Sequence, residues 1–311
     1  MYKKQLLDCH IRIKPYIHRT PVLTSRLLND LSGAELYFKC ENFQKMGAYK
    51  MRGATNAILL LSDKERANGV VTHSSGNFAQ ALSLAAQSLN VKAYIVMPSN
   101  APEVKKVAVS QYGGNIIECA PTIESRSSAA NKIASEKGAT FIHPSNDMNV
   151  IIGQGTAAME LLEDFPGLDY IFAPIGGGGL IAGTALAADY FGDICKVVGG
   201  EPYEADDAYR SFHSGEIESN RTTNTIADGL KTVLGDKTFP IIKKYVHDII
   251  RVTEDEIVIA MRLIWERLKI IVEPSSAVAL AALIREKDNY HGQRIGIIIS
   301  GGNVDLNNLP F

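Results

Sequence analysis
Short runs of apolar and β-branched residues alternate along this chain with longer stretches whose apolar positions recur at helical spacing. The short runs predict strands at 36–40, 69–72, 92–97, 115–119, 140–142, 170–174, 196–201 and 294–299. The longer ones predict helices at 79–89, 103–112, 125–137, 155–165, 180–191 and 254–268. Such alternation belongs to α/β folds with open, mostly parallel, twisted sheets. Between about residues 70 and 143 the order reads β-α-β-α-β-α-β with short turns, a self-contained unit set inside the rest. The expected organisation is two-lobed, with a large domain of residues 1–68 and 145–311 and a small domain of residues 69–144. One continuous sheet is the alternative. Two lobes are preferred because open α/β sheets bind ligands in crevices at the carboxyl ends of their strands.

The 311 residues, 46% apolar and 21% charged, suffice for an ordinary core and for two domains. A net charge of −2 without any basic run gives no electrostatic case for nucleic acid or an anionic membrane. Cys9, Cys40, Cys119 and Cys195 lie far apart in no metal-binding spacing and read as reduced thiols of a cytoplasmic protein. No apolar run approaches the ~20 residues of a membrane span. The N-terminus shows no apolar stretch of signal length.

Two motifs bear chemistry. Lys50 follows Gly47-Ala48-Tyr49 and precedes Met51-Arg52-Gly53, where a helix begins. Read alone it is a solvated surface lysine. At a helix N-terminus, however, the positive end of the macrodipole disfavours the ammonium form and favours the neutral amine that attacks an aldehyde. Gly176, Gly177, Gly178 and Gly179 join an apolar strand to a helix, an arrangement in which backbone N–H groups converge on an anion. A plain βα connection would rarely use four glycines, given the backbone entropy they lose. The run fits neither GxGxxG nor the Walker pattern, which weighs against a dinucleotide or ATP. An aldehyde-holding amine and a phosphate-holding loop together point to pyridoxal 5'-phosphate (PLP).

Three further stretches follow strands. His73-Ser74-Ser75-Gly76-Asn77 offers hydroxyls, an amide and N–H groups suited to a carboxylate and a phenolic oxygen, or it simply caps a helix. Ser300-Gly301-Gly302-Asn303 is either a site or a Gly-rich turn. Glu201-Pro-Tyr-Glu-Ala205-Asp206-Asp207 gathers oxygens suited to a hard cation, or it is a solvated acidic loop.

With Pro98 and Ala101-Pro102, Gly153-Gln-Gly-Thr156, Ala227-Asp-Gly-Leu-Lys231 and Glu273-Pro274, these motifs resemble, nearly end to end, the fold-type II PLP enzymes of the tryptophan synthase β-like group. Within that group the resemblance is to the serine racemase and serine/threonine dehydratase branch. It implies a cofactor in the cleft between lobes, held through its aldehyde by Lys50, which also acts as base on one face. It implies further that Gly176–Gly179 bind the phosphate, Asn77 the ring hydroxyl and Ser300 the ring nitrogen. Ser74, Ser75 and Asn77 would hold the substrate carboxylate region, and Arg126 the side chain or a second carboxylate. Glu201, Asp207 and the carbonyl of Ala205 would hold a divalent cation, Mg²⁺ or alternatively Ca²⁺ or Mn²⁺.

A serine at the ring nitrogen is a poor acid, so the nitrogen is expected to stay unprotonated and the ring to be a weaker electron sink than with an aspartate partner. Loss of a β-hydroxyl is then favoured. Ser75, where dehydratases commonly have alanine and racemases serine, is the candidate acid on the opposite face. The resemblance thus implies a homodimer that dehydrates L-serine and L-threonine to pyruvate or 2-oxobutanoate and ammonia, together with serine racemisation. A nucleotide effector is compatible with the branch. Arg126 keeps a 3-hydroxyaspartate dehydratase open as an alternative. The Glu201/Asp207 pair stands against a β-replacement enzyme such as a cysteine synthase. From another class, a catalytically silent PLP-binding or sensing protein is suggested by Phe78, which replaces the usual histidine after Asn77. Ala48-Tyr49 likewise replaces the usual Ser-Phe before the lysine.

Overall fold
The computed structural model describes residues 2–311. Its strands are β1 (Val22–Leu23), β2 (Glu35–Cys40), β3 (Val70–His73), β4 (Ala93–Pro98), β5 (Asn115–Cys119), β6 (Thr140–Phe141), β7 (Tyr170–Pro174), β8 (Lys196–Pro202), β9 (Asp248–Val252) and β10 (Arg294–Ile299). They form two sheets. One is six-stranded, in the order β1-β2-β10-β7-β8-β9, and parallel except for the β1–β2 pair. The other is four-stranded and all-parallel, in the order β5-β4-β3-β6.

Alternate residues of the large sheet enter different cores. Phe172, Ile295 and Ile297 pack with Ile257 and Leu280 of helices Glu254–Leu268 and Pro274–Arg285. Ile171, Ala173 and Ile298 pack with Ile152 and Ile181 of helices Met148–Asp164 and Gly179–Phe191. Both faces are thus covered, which is why these strands read as continuous apolar runs rather than as alternating ones. The small sheet is covered the same way, with Val70 and Ile95 in one cluster and Val71 and Val96 in another.

Each expected strand forms, within a residue or so at its ends. β1 and β9 were not expected: the first has two residues, and the second is an edge strand carrying Asp248 and Arg251. The helix expected at 155–165 begins earlier, at Met148, where the Asp147 carboxylate accepts the N–H groups of Asn149 and Val150. Gly153 and Gly155 argue against a helix there by propensity. Packing explains them. A Cβ on Gly153 would lie 2.5 Å from the Cα of Gly53, and one on Gly155 2.6 Å from the Gly183 carbonyl oxygen. Helices meet backbone to backbone at these points. The carboxyl ends of β2, β3, β7, β8 and β10 lead into Glu41, Ser74–Asn77, the glycine run, the acidic segment and Ser300.

Candidate active site
Lys50 is the first residue of helix Lys50–Leu59, as its sequence context predicts. The side chain is half-buried. Its Nζ donates to the Pro144 carbonyl at 3.0 Å and lies 5.7 Å from the ring centroid of Phe78. Its pKa is lowered to about 8, first by burial, which disfavours the charged form, with the Glu273 carboxylate pulling the other way. Burial is thus the leading cause where the sequence pointed to the macrodipole. Phe78 is 2% exposed and packs with Ala48 and Met51. Its ring forms part of the apolar surround of the Lys50 amine.

The segment before Lys50 is stitched to the segment after β10. Tyr49 N–H donates to the Ser300 carbonyl at 3.0 Å, and Gly302 N–H to the Gly47 carbonyl at 2.9 Å. Asn303 Nδ2 donates to the Met46 carbonyl at 2.9 Å. Gly47 sits at φ 78°, a left-handed conformation that favours glycine. Ser300, buried, is brought beside Lys50 by this pairing, and its Oγ lies 3.0 Å from Ser276 Oγ.

Ser74, Ser75 and Gly76 lie half-buried in the turn after β3, and Asn77 opens helix Asn77–Ser88. Capping does not account for these residues, because the N-cap is Gly76 and no side chain bonds the first turn. Asn77 instead spans the two sheets. Its Nδ2 donates to both carboxylate oxygens of Glu273 at 2.9 and 3.1 Å, and its Oδ1 accepts from Asn303 Nδ2 at 2.9 Å. Glu273 is buried, and burial raises its carboxyl to about 7 against the opposing Asn77 hydrogen bond. In the sequence Glu273 stands out only through the Glu273-Pro274 motif. Nothing local marks a partner 196 residues away.

The glycine run follows β7, and Gly178 (φ 80°) is the N-cap of helix Gly179–Phe191. All four glycines are buried. Among the described residues their N–H groups find no hydrogen-bond acceptor, so the turn presents unsatisfied donors at a helix N-terminus. Side chains are excluded there: a Cβ on Gly177 would collide with Ser145 Oγ, and one on Gly176 would lie 2.9 Å from Leu230 Cα. Ser145 is the neighbour of Pro144, so one turn touches both the glycine run and the lysine. His143 Nδ1 fixes that turn by accepting the N–H groups of Ser145 and Asn146 at 3.2 and 2.8 Å. Accordingly the His143 pKa falls to about 4, through burial and then the nearby His73 and Lys50. An amine held near neutrality and a buried cradle of free N–H groups fit PLP. The sequence signal for Pro144 and Ser145 was weak: like the other site turns, they follow a strand.

Arg126 lies in the first turn of helix Ile123–Lys137, and its Nε is buried without a hydrogen-bond partner. No hydrogen bond ties it to Lys50 or Ser300; it acts on His73, whose pKa falls through burial first and the Arg126 charge after. The acidic segment is not a solvated loop. Glu201, Ala205 and Asp207 are each fully buried. The Glu201 oxygens accept Ala208 and Tyr209 N–H at 3.0 and 2.8 Å, and Asp207 Oδ2 accepts Leu234 N–H at 2.9 Å. Asp207 Oδ1 has no partner. Burial raises both carboxyls, and Asp207 adds repulsion at Glu201. Two buried carboxylates of like sign, one with a free oxygen, are chemically suited to a hard cation, although no cluster of three acidic, histidine or cysteine ligands occurs among the described residues.

The chain is 50% identical over 308 residues to the beta-hydroxyaspartate dehydratase of Paracoccus denitrificans, covering 99% of this chain and 98% of that protein. It is 51% identical over 310 residues to the serine racemase of Dictyostelium discoideum, covering 98% and 96%. The crystal structure of serine racemase from D. discoideum superposes with a TM-score of 0.94 at 52% identity, covering 97% of this chain and 98% of that one. Residues 13–301 match the family described as pyridoxal-phosphate dependent enzyme. The poised lysine and the glycine cradle that sequence and geometry single out therefore sit in a chain that belongs to the PLP-dependent enzymes of fold type II.

Proposed function
We propose that this enzyme removes ammonia from L-serine and L-threonine, giving pyruvate and 2-oxobutanoate, and that it also racemises serine. The observation that carries the reading is Lys50, an amine of lowered pKa at the start of helix Lys50–Leu59, with its Nζ 3.0 Å from the Pro144 carbonyl oxygen and beside Phe78. When bound, PLP supplies the electron sink that acidifies the α-carbon. Gly176–Gly179 would hold its phosphate, Asn77 its ring hydroxyl and Ser300 its ring nitrogen. Ser74, Ser75 and Asn77 orient the substrate carboxylate. Lys50 Nζ would take the α-proton; departure of the β-hydroxyl as water, followed by hydrolysis of the released enamine, would give the keto acid and ammonia, while a proton from Ser75 on the opposite face would complete racemisation. Incubating the holoenzyme with Mg²⁺ and L-serine, then assaying D-serine by chiral separation and pyruvate in parallel, tests this. Both products are expected, and Ser75→Ala should suppress D-serine alone. Neither product from serine or threonine would refute the reading, and any turnover excludes a silent sensing protein.

A second reading, dehydration of 3-hydroxyaspartate, is favoured by Arg126, a half-buried guanidinium whose Nε lacks a partner and which suits a second carboxylate. A kcat/KM for 3-hydroxyaspartate above that for serine, lost in Arg126→Leu, would select it. The same proposal includes a divalent cation, Mg²⁺ or Ca²⁺ or Mn²⁺, at Glu201, Asp207 and the Ala205 carbonyl. It includes a homodimer, a nucleotide effector and the division into lobes at 1–68 with 145–311 and 69–144, with the cofactor between them. A cytoplasmic setting is supported by four free cysteines. No helix among the described residues is long and apolar enough to cross a membrane.

A further inference from the structure
We infer that Ser276 is a positioning residue that allows the Ser300 hydroxyl to face the cleft either as donor or as acceptor; this rests on the reading that Ser300 meets the cofactor's ring nitrogen. Ser276 is fully buried in the first turn of helix Pro274–Arg285. Its Oγ lies 2.7 Å from the Gly301 nitrogen, 2.7 Å from the Gly301 carbonyl oxygen and 3.0 Å from Ser300 Oγ. A hydroxyl has one proton and two lone pairs. The Gly301 N–H can only donate and fills one lone pair, while the carbonyl can only accept. The Ser276 proton therefore goes either to that carbonyl or to Ser300.

In the first arrangement Ser300 donates to Ser276 and turns a lone pair to the cleft. In the second Ser276 donates to Ser300, whose own proton turns to the cleft. Neither arrangement orphans a buried group, because the Gly301 carbonyl also accepts Glu273 N–H at 3.1 Å. Without Ser276, a buried Ser300 that accepted from a protonated nitrogen would leave its own proton unpaired, so donation to an unprotonated nitrogen is favoured. With Ser276 as acceptor for that proton, Ser300 can also accept from a protonated one. Protonation strengthens the electron sink, so Ser276 favours return of a proton to the α-carbon over loss of the β-hydroxyl.

The test uses holoenzymes of wild type, Ser276→Ala, Ser276→Thr and Ser300→Ala, reconstituted with PLP isotope-labelled at the ring nitrogen. The nitrogen chemical shift is followed against pH without substrate, and the D-serine to pyruvate ratio is measured with L-serine. In S276A the protonated state loses its hydrogen-bond support, so the nitrogen midpoint should fall by about one pH unit and the product ratio by roughly tenfold. S276T, which keeps the hydroxyl, should restore both. Ser276→Cys, near-isosteric and a weak donor, serves the same comparison if S276A does not fold. A wild-type midpoint and ratio in S276A, with both changed in S300A, would overturn the inference and leave the placement of Ser300 standing. No change in either variant would overturn that placement as well.

Discussion

Replacing Arg52 by methionine should unfold much of what supports Lys50, two residues away. Arg52 is fully buried, on the side of its helix turned from Lys50, since residues two apart do not share a face. Its Nε and Nη2 grip Glu41 at 2.7 and 2.8 Å, Nη1 and Nη2 grip Glu160 at 2.8 Å each, and Nη1 also reaches Thr156 at 3.2 Å. Lys39 Nζ completes the cluster at 2.7 Å from Glu160. Two cations thus balance two anions. In Arg52→Met, Glu160 keeps Lys39, but Glu41 keeps only the Thr20 hydroxyl at 2.5 Å. Removing one partner of a buried pair costs about 3–5 kcal/mol, a large share of the ~5–15 kcal/mol that holds a domain folded.

The acid range sets an upper bound on the part of the loss that passes through Glu160, since Arg52 shares that carboxylate with Lys39. Burial pushes Glu160 up, but hydrogen bonds and charge from Arg52, then Lys39, hold it down to about 2 from 4.5. At about 1.4 kcal/mol per unit that is ~3 kcal/mol. A depressed carboxyl contributes above its unfolded pKa and loses the contribution as pH falls toward the folded one. The Arg52→Met deficit should therefore be full at neutral pH and shrink between 4.5 and about 2. Urea unfolding of the apoprotein across that range is the assay, with Arg52→Met/Glu41→Leu as the second variant. Removing both charges should recover most of the loss. A single-variant loss under about 1 kcal/mol, or a double variant no more stable than the single, would refute the reasoning.

Gly177→Ala places a Cβ against Ser145 Oγ and should weaken PLP binding at least about tenfold, or ~1.4 kcal/mol; cofactor titration of a folded variant with unchanged affinity would contradict this. Capture of PLP by the apoprotein, trapped with borohydride and counted at Lys50 by mass spectrometry, should rise with pH through a midpoint near 8 as the amine loses its proton. Glu273→Gln should move that midpoint lower, because the carboxylate favours the ammonium form; a midpoint at an ordinary lysine value would show that burial does not tune this amine. Chelation of divalent cations should lower thermal stability and activity together, with recovery on adding Mg²⁺. Glu201→Gln should abolish the response, and indifference of wild type to chelators would remove the cation from the proposal.

Much of this protein can be read along the chain because it depends on local pattern. Both faces of the large sheet are covered by helices, so its strands are continuous apolar runs, and the βαβ rhythm follows from them. Lys50 and Gly176–Gly179 stand out because an amine at a helix start and four glycines after a strand are local features with local reasons. Other features depend on which distant residues meet. Glu273 becomes a buried partner of Asn77 only when the two sheets come together. Ser276 gains a role only because Ser300 arrives 3.0 Å away. Glu201 and Asp207, which composition reads equally as a solvated loop, are sealed from water by tertiary packing. Phe78, conspicuous as a departure, is buried among apolar residues beside the Lys50 amine, a placement that its neighbours along the chain do not reveal. The elements and the candidate reactive groups are therefore legible along the chain, since periodicity and backbone freedom are properties of neighbours in sequence. Burial, pKa and hydrogen-bond direction were decided by the tertiary structure, because desolvation and partnership are properties of neighbours in space.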